Sequence, residues 1–264
     1  MRKTKEVYFI MSETNEFDIK TIVCFNKHNG TEEEITIPDG VTVIGDSAFE
    51  NNKNIKSIIM PNTVVSIGAS AFKGCISLEK IIFSDNIKYI GARAFEDCLH
   101  LTNVKLPLNL REIKPLAFTN CRLTSICFPE KLSVIGFDSF SKCANIEKIN
   151  IPQNVTAIGQ YAFSRCENLK SVSVSANISK LEKGMFFGCG SLSTIIIPDE
   201  CKSIGCTAFD GCDSLEKIYI PKSVTAIDKK AFGKKKKKLI IQAPKGSYAI
   251  KYAKKKHFKY EIVE

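Results

Sequence analysis

Nowhere does the sequence run to the roughly 18–20 consecutive apolar residues that a membrane-spanning helix needs. Histidine is scarce: His28, His100 and His257 are far apart, and none is paired with cysteines at metal-ligand spacing. That argues against a zinc site and leaves the cysteines without a neighbouring base for nucleophilic catalysis. No G-x-S-x-G, Walker loop, G-x-G-x-x-G or H-E-x-x-H occurs. The chain therefore reads as a non-enzyme without metal or cofactor. The amino terminus has Arg2, Lys3 and Lys5 but only Val7–Met11 as an apolar patch, so no signal peptide is legible. Acid is missing from one stretch, since Lys229–Lys259 holds 13 lysines and no Asp or Glu. That stretch accounts for the net charge of +10; elsewhere 25 basic residues face 28 acidic ones. A basic protein with nucleic acid as its primary partner would be a misreading.

What is present is periodic. A phenylalanine returns at Phe49, Phe72, Phe95, Phe118, Phe140, Phe163, Phe186, Phe209 and Phe232, every 23 residues except for one step of 22. Five residues before it stands Ile44, Ile67, Ile90 or an equivalent; eleven before it, usually a proline such as Pro38 or Pro61. Three after it, seven copies have a cysteine: Cys75, Cys98, Cys121, Cys143, Cys166, Cys189 and Cys212. A period of this length over nine copies marks a repeat architecture. One unit cannot bury its own apolar face, so neighbouring units must stack.

These columns closely resemble the BspA-like leucine-rich repeats, over about residues 36–264. The segment Ala243–Ala253 also looks like that family's closing element. The resemblance implies a right-handed, curved α/β repeat solenoid that binds other proteins. It also implies a surface or secreted role, some relatives being implicated in adhesion to host matrix. An intracellular scaffold stays open beside it, because the missing leader and an unbridged cysteine column fit a cytoplasmic protein.

The unit predicts about nine coils, each with a strand on a concave parallel sheet and a short helical turn on the convex side. Ala71, Phe72, Cys75 and Leu78 fall on one face of such a turn, and Ser70 or Asp46 is placed to cap it. Leu78–Phe83 then reads as the strand. Glycine after the Ile, as at Gly45 and Gly68, is expected to supply a positive φ. The short step at Cys121-Arg122-Leu123 should tighten a loop without breaking the stack. Three segments of one domain follow: an amino-terminal β cap (1–36), the repeats (37–243) and a helix–strand cap (244–264). In the first cap, Phe17–Phe25 and Glu33–Ile37 read as a hairpin joined at Asn29-Gly30.

Seven of the eleven cysteines share one column. A column that follows the structural period reads first as a ladder of buried thiols; the alternative is some bridging between coils, for which parallel Cβ vectors are poorly aimed. Free of such packing demands are two columns on the outward face of the concave strands. They give the candidate protein-binding residues Ser57, Ile59, Lys80, Ile82, Asn103, Lys105, Cys127, Lys148, Asn150, Ser173, Thr194, Ile196, Lys217 and Tyr219. Ile59 with Ile82 and Ile196 with Tyr219 place apolar groups on a polar face, a mark of interaction sites; a generic solvated sheet face is the alternative. Lys234, Lys235, Lys236, Lys237 and Lys238, with Lys254, Lys255 and Lys256, form a candidate accessory contact for a polyanion, or simply the solvated outer face of a cap.

Overall fold

The computed structural model describes residues 9–14, 19–25, 32–174, 178–233 and 238–264, the first two segments as backbone alone. In chain order the strands begin with β1 (Phe9–Thr14), β2 (Ile19–Phe25), β3 (Glu34–Thr36), β4 (Val41–Ile44), β5 (Ser57–Ile59), β6 (Ser66–Ile67) and β7 (Lys80–Ile82). They continue as β8 (Tyr89–Ile90), β9 (Glu112–Ile113), β10 (Val134–Ile135), β11 (Lys148–Ile151), β12 (Ala157–Ile158), β13 (Ser171–Val174) and β14 (Lys180–Leu181). The last are β15 (Thr194–Ile196), β16 (Ser203–Ile204), β17 (Lys217–Tyr219), β18 (Ala226–Ile227), β19 (Ile240–Pro244), helix α1 (Tyr248–Lys256) and β20 (Lys259–Val263).

Most coils contribute strands to two columns, not one. The long-strand column runs β3-β5-β7 and then β11-β13-β15-β17-β19-β20. The short-strand column runs β1-β2-β4-β6-β8-β9-β10-β12 and then β14-β16-β18. Its two-residue strands occupy the stretch ahead of each glycine, where the sequence had pointed only to a turn. In-register stacking lets even Ser66-Ile67 pair with Tyr89-Ile90, and so on down the chain.

The expected helical turns are also replaced. Phe72 N–H donates to Ala94 O in the next coil at 2.8 Å, whereas Lys73 N–H donates back to Ser70 O at 3.0 Å. The same alternation follows Phe49 and Phe95. Residues two before and two after the ring take positive φ: Ser70 at 55° and Gly74 at 68°, Arg93 at 58° and Asp97 at 61°. A right-handed helix cannot include such residues, so successive turns form and every second amide is free to bridge coils. Ser70 is therefore a left-handed turn residue, not a helix cap.

Glycine behaves differently from expectation too. Gly68, Gly91, Gly136, Gly159 and Gly205 are not among the positive-φ residues. They are small because the preceding coil passes against them: a Cβ on Gly136 would lie 2.6 Å from the Lys114 carbonyl carbon and 2.7 Å from Pro115 N. Gly136→Ala is expected to lower stability by about 1–3 kcal/mol through this overlap, read from a urea denaturation midpoint. No loss would mean that the coil can shift there, as the coils carrying Lys114, Glu182 and Asp228 at this place already do.

Between the columns lies the core. The nine phenylalanine rings stack face to face along the axis, with centroids 5.0 Å apart at Phe49–Phe72 and 5.9 Å at Phe163–Phe186, and planes within 16°. The stack crosses the 22-residue step intact, at 5.1 Å for Phe95–Phe118 and 5.4 Å for Phe118–Phe140. It ends on the last segment, where Phe258 meets Phe232 edge-on at 5.6 Å and Tyr252 O–H donates to Asp228 O. Ser247 N-caps α1, accepting from Ile250 N–H, and the three lysines of its last turn face the negative end of the helix dipole.

At the amino terminus the strand pairing differs from the expected hairpin. β2 pairs antiparallel with β1 and parallel with β4. Glu34–Thr36 instead opens the long-strand column by pairing with Ser57–Ile59. The Asn29-Gly30 connection lies outside the described residues.

Candidate binding surface

The long-strand column fixes the outward residues by register. On one side of it Ile58, Ile81, Val172, Ile195 and Ile218 are buried. Their neighbours along each strand therefore point out. Ser57 stands beside Lys80 and Ile59 beside Ile82; Asn150 stands beside Ser173, Ser173 beside Ile196, and Ile196 beside Tyr219. Lys80, Asn103, Lys105, Cys127, Lys148, Asn150, Thr194 and Lys217 are exposed, and Ser57 and Ser173 half-buried. Two apolar pairs emerge from this polar surface: Ile59 (40% exposed) with Ile82 (42%), and Ile196 (63%) with Tyr219 (39%).

Several of these residues already have partners. Lys217 pairs with Glu261 at 3.2 Å, Ser173 donates to Asn150 at 2.7 Å, and Asn103 accepts from Thr124 at 3.1 Å. Lys80, Lys105 and Lys148 have no ion-pair partner among the described residues.

Counting residues gave no warning that the column splits. Residues 103–105 and 125–128, which hold Asn103, Lys105 and Cys127, form no strand ladder between β7 and β11. The split falls where two rings enter a column elsewhere filled by smaller side chains. Phe83 lies edge-on to Phe95 at 5.7 Å, and Phe128 edge-on to Phe140 at 5.5 Å. The missing residue of the 22-residue step falls in the same stretch, where the two coils stay linked by Thr124 N–H donating to Thr102 O at 2.9 Å. The sequence did carry a signal, in Phe83 and Phe128 themselves.

The cysteine column does more than fill space. Cys75 Sγ–H donates to Phe49 O at 3.1 Å, Cys98 to Phe72 O at 3.2 Å, and Cys121 to Phe95 O at 3.1 Å. Cys143, Cys166, Cys189 and Cys212 repeat the contact one coil back each time. Seven of the nine phenylalanine carbonyls thus gain a thiol donor, in most cases beside a backbone donor they already have, as Phe72 O has in Cys75 N–H at 3.1 Å. All seven are free thiols. Burial pushes Cys75 and Cys189 up to about 12, and Cys121, Cys143 and Cys166 well above their ordinary value. Cys127 is exposed.

Of the candidate polyanion contact, Lys234–Lys237 lie outside the described residues. Lys238, Lys254 and Lys255 are exposed and Lys256 is half-buried. Among the described residues no cluster of His, Cys, Asp or Glu could hold a metal ion, and no helix is long and apolar enough to cross a membrane.

A family model for the BspA type leucine rich repeat region, in six copies, matches residues 22–147 and 133–261. The chain belongs to that family. A leucine rich repeat protein of T. pallidum is 28% identical, covering 78% of this chain and 87% of its own, with a TM-score of 0.55. A leucine rich cell surface protein of Faecalibacterium prausnitzii is 22% identical over 100% of this chain and 97% of its own, with a TM-score of 0.54. A leucine-rich repeat protein of Bacteroides ovatus shares 19% identity over the full length of both chains, with a TM-score of 0.50. At these identities the last two establish the fold alone. No curated protein matches the chain. In this BspA-type repeat protein the recurring phenylalanine, isoleucine and cysteine columns are spent on stacking the coils.

Proposed function

We propose that this leucine-rich repeat protein is a non-enzymatic protein-binding module, with residues 37–243 as the recognition unit and the flanking segments as its covers. The ligand is a protein held on the outward face of the long strands. The observation that supports this reading is the pairing of exposed apolar side chains on adjacent strands, Ile59 with Ile82 and Ile196 with Tyr219, at sites where packing demands nothing of them. A surface or secreted adhesin that binds host matrix or a cell-surface protein is the role we assign. Membership of the BspA-type leucine rich repeat family supports that assignment.

The test replaces Ile59 and Ile82, or Ile196 and Tyr219, by serine. Each double variant should keep its stability to within about 0.5 kcal/mol, as surface changes do. Binding to the physiological partner, followed by calorimetry, should weaken at least about tenfold, a loss of roughly 1.4 kcal/mol. Normal binding by both would remove this face as the site.

A second reading is favoured by the exposed lysines of α1. Through Lys254 and Lys255, with Lys234–Lys238, the carboxy-terminal cap would attract acidic glycans or another anionic surface as an accessory contact. Such binding should fall steeply with salt, because it releases counterions. Changing Lys234–Lys238 to Gln should remove retention on heparin and leave the partner bound. Loss of the partner as well would reverse the ranking of the two surfaces.

A further inference from the structure

The two ends of the long-strand column are finished differently. At its start, β3 has its core-facing Ile35 only 1% exposed, and Ile37 just beyond the strand is as deeply covered. At its end, register places Tyr260 beside Ile241 and Ile262 beside Ala243. Ile241 and Ala243 are fully buried, so Tyr260 and Ile262 continue the core-facing row, yet they are 40% and 54% exposed. Beyond them, among the described residues, no strand pairs with the outer edge of β20. That edge is five residues long and free of proline. Proteins generally blunt or cover such an edge, because its unpaired amides and carbonyls are a template for another strand.

The charge around the edge is mainly positive. Lys254, Lys255 and Lys259 are exposed on α1 and β20, against one exposed acid, Glu264, just past the strand, and Lys254 Nζ stands 5.6 Å from the centre of the Tyr260 ring. The one acid within β20, Glu261, is already engaged by Lys217 and by Gln242. A second copy of this chain would bring like-charged lysines together. We propose that the β20 edge takes up an extended acidic segment of another protein as an added strand. Its apolar side chains cover Tyr260 and Ile262, and its carboxylates meet the lysines of α1. Strand addition of this kind draws affinity from main-chain hydrogen bonds and specificity from alternate side chains. This site is separate from the outward face of the long strands.

The probe is a short capped peptide of alternating Glu and Val; its control has the same residues in two blocks. With the full chain, the alternating peptide should bind at least about tenfold more tightly than the control by fluorescence anisotropy, and should slow amide hydrogen exchange across residues 259–263. Ile262→Lys places a charge in the uncovered row and should abolish both effects. Lys254→Gln with Lys255→Gln should weaken binding and flatten its salt dependence. Should Ile262→Lys not fold, the exchange protection of the unaltered chain decides alone. Equal binding of both peptides, or binding without protection of 259–263, would overturn the proposal. So would a concentration-dependent dimer that protects 259–263 without peptide, because it would make a second copy the occupant.

Discussion

Phe118→Ala is expected to lower the stability of the protein by about 3–5 kcal/mol, measured by urea denaturation followed by far-UV circular dichroism. The ring is fully buried, and it stacks between Phe95 at 5.1 Å and Phe140 at 5.4 Å. Truncation removes its transfer free energy, leaves a cavity that neighbouring coils cannot close, and deletes two ring contacts worth about 0.5–1.5 kcal/mol each. The position adds a second signature. A solenoid is held by nearest-neighbour interfaces, so weakening the middle coil uncouples the halves, and the transition should broaden or split. Phe137→Ala is the control: that ring is 40% exposed, lies outside the stack and meets Tyr161 edge-on at 6.2 Å, and its loss should cost no more than about 1 kcal/mol. Similar midpoints for the two variants would show that the stack does not hold the coils together.

How much of this was legible in the sequence depends on which atoms carry each feature. The ring stack, the buried columns and the parallel strands follow from side chains recurring at one period, and such columns can be counted. The turns were misread because Ala71, Phe72, Cys75 and Leu78 have helix-like spacing. What decides against a helix is backbone conformation at Ser70, Arg93, Leu116 and Tyr161, all at positive φ. These residues share no chemistry, so no residue type announces the turn. Pairing across coils imposes it. The glycines were placed correctly and explained wrongly: the constraint is a neighbouring backbone, which a single repeat does not contain. The amino-terminal hairpin failed for a related reason. A local turn signal at Asn29-Gly30 outweighed the register that ties Glu34–Thr36 to Ser57–Ile59. On the candidate surface, outward positions were legible by alternation along each strand. Alternation does not register the split of the sheet, which falls beside Phe83 and Phe128, two half-buried rings in a column of smaller side chains.

Raising the pH should unfold this protein more abruptly than its charge alone would. The thiols of Cys75, Cys121, Cys143, Cys166 and Cys189 are buried, each donating to a carbonyl in the preceding coil, and burial raises all five above their ordinary value. A thiolate could neither donate that bond nor be solvated there. In the unfolded chain the same groups ionise near their ordinary value of 9.0. Below that pH both states hold the proton and the thiols impose no pH dependence. Above it the unfolded state loses protons that the folded state keeps, so stability falls as pH rises, by up to about 1.4 kcal/mol per pH unit for each such thiol. The loss continues until the folded thiols themselves ionise, at about 12 for Cys75 and Cys189. With five groups acting together, the urea midpoint should drop sharply between about pH 9 and 10. Cys127, exposed in the split of the long-strand column, should react first with a thiol reagent at neutral pH, and the ladder thiols only on denaturation, because the thiolate is the reactive form. Replacing the ladder cysteines by alanine in pairs should flatten the alkaline limb and lower stability at neutral pH, where the phenylalanine carbonyls lose a donor. An unchanged alkaline limb in those variants, or rapid labelling of Cys143 in the folded protein, would mean that the ladder opens readily and that its hydrogen bonds contribute little.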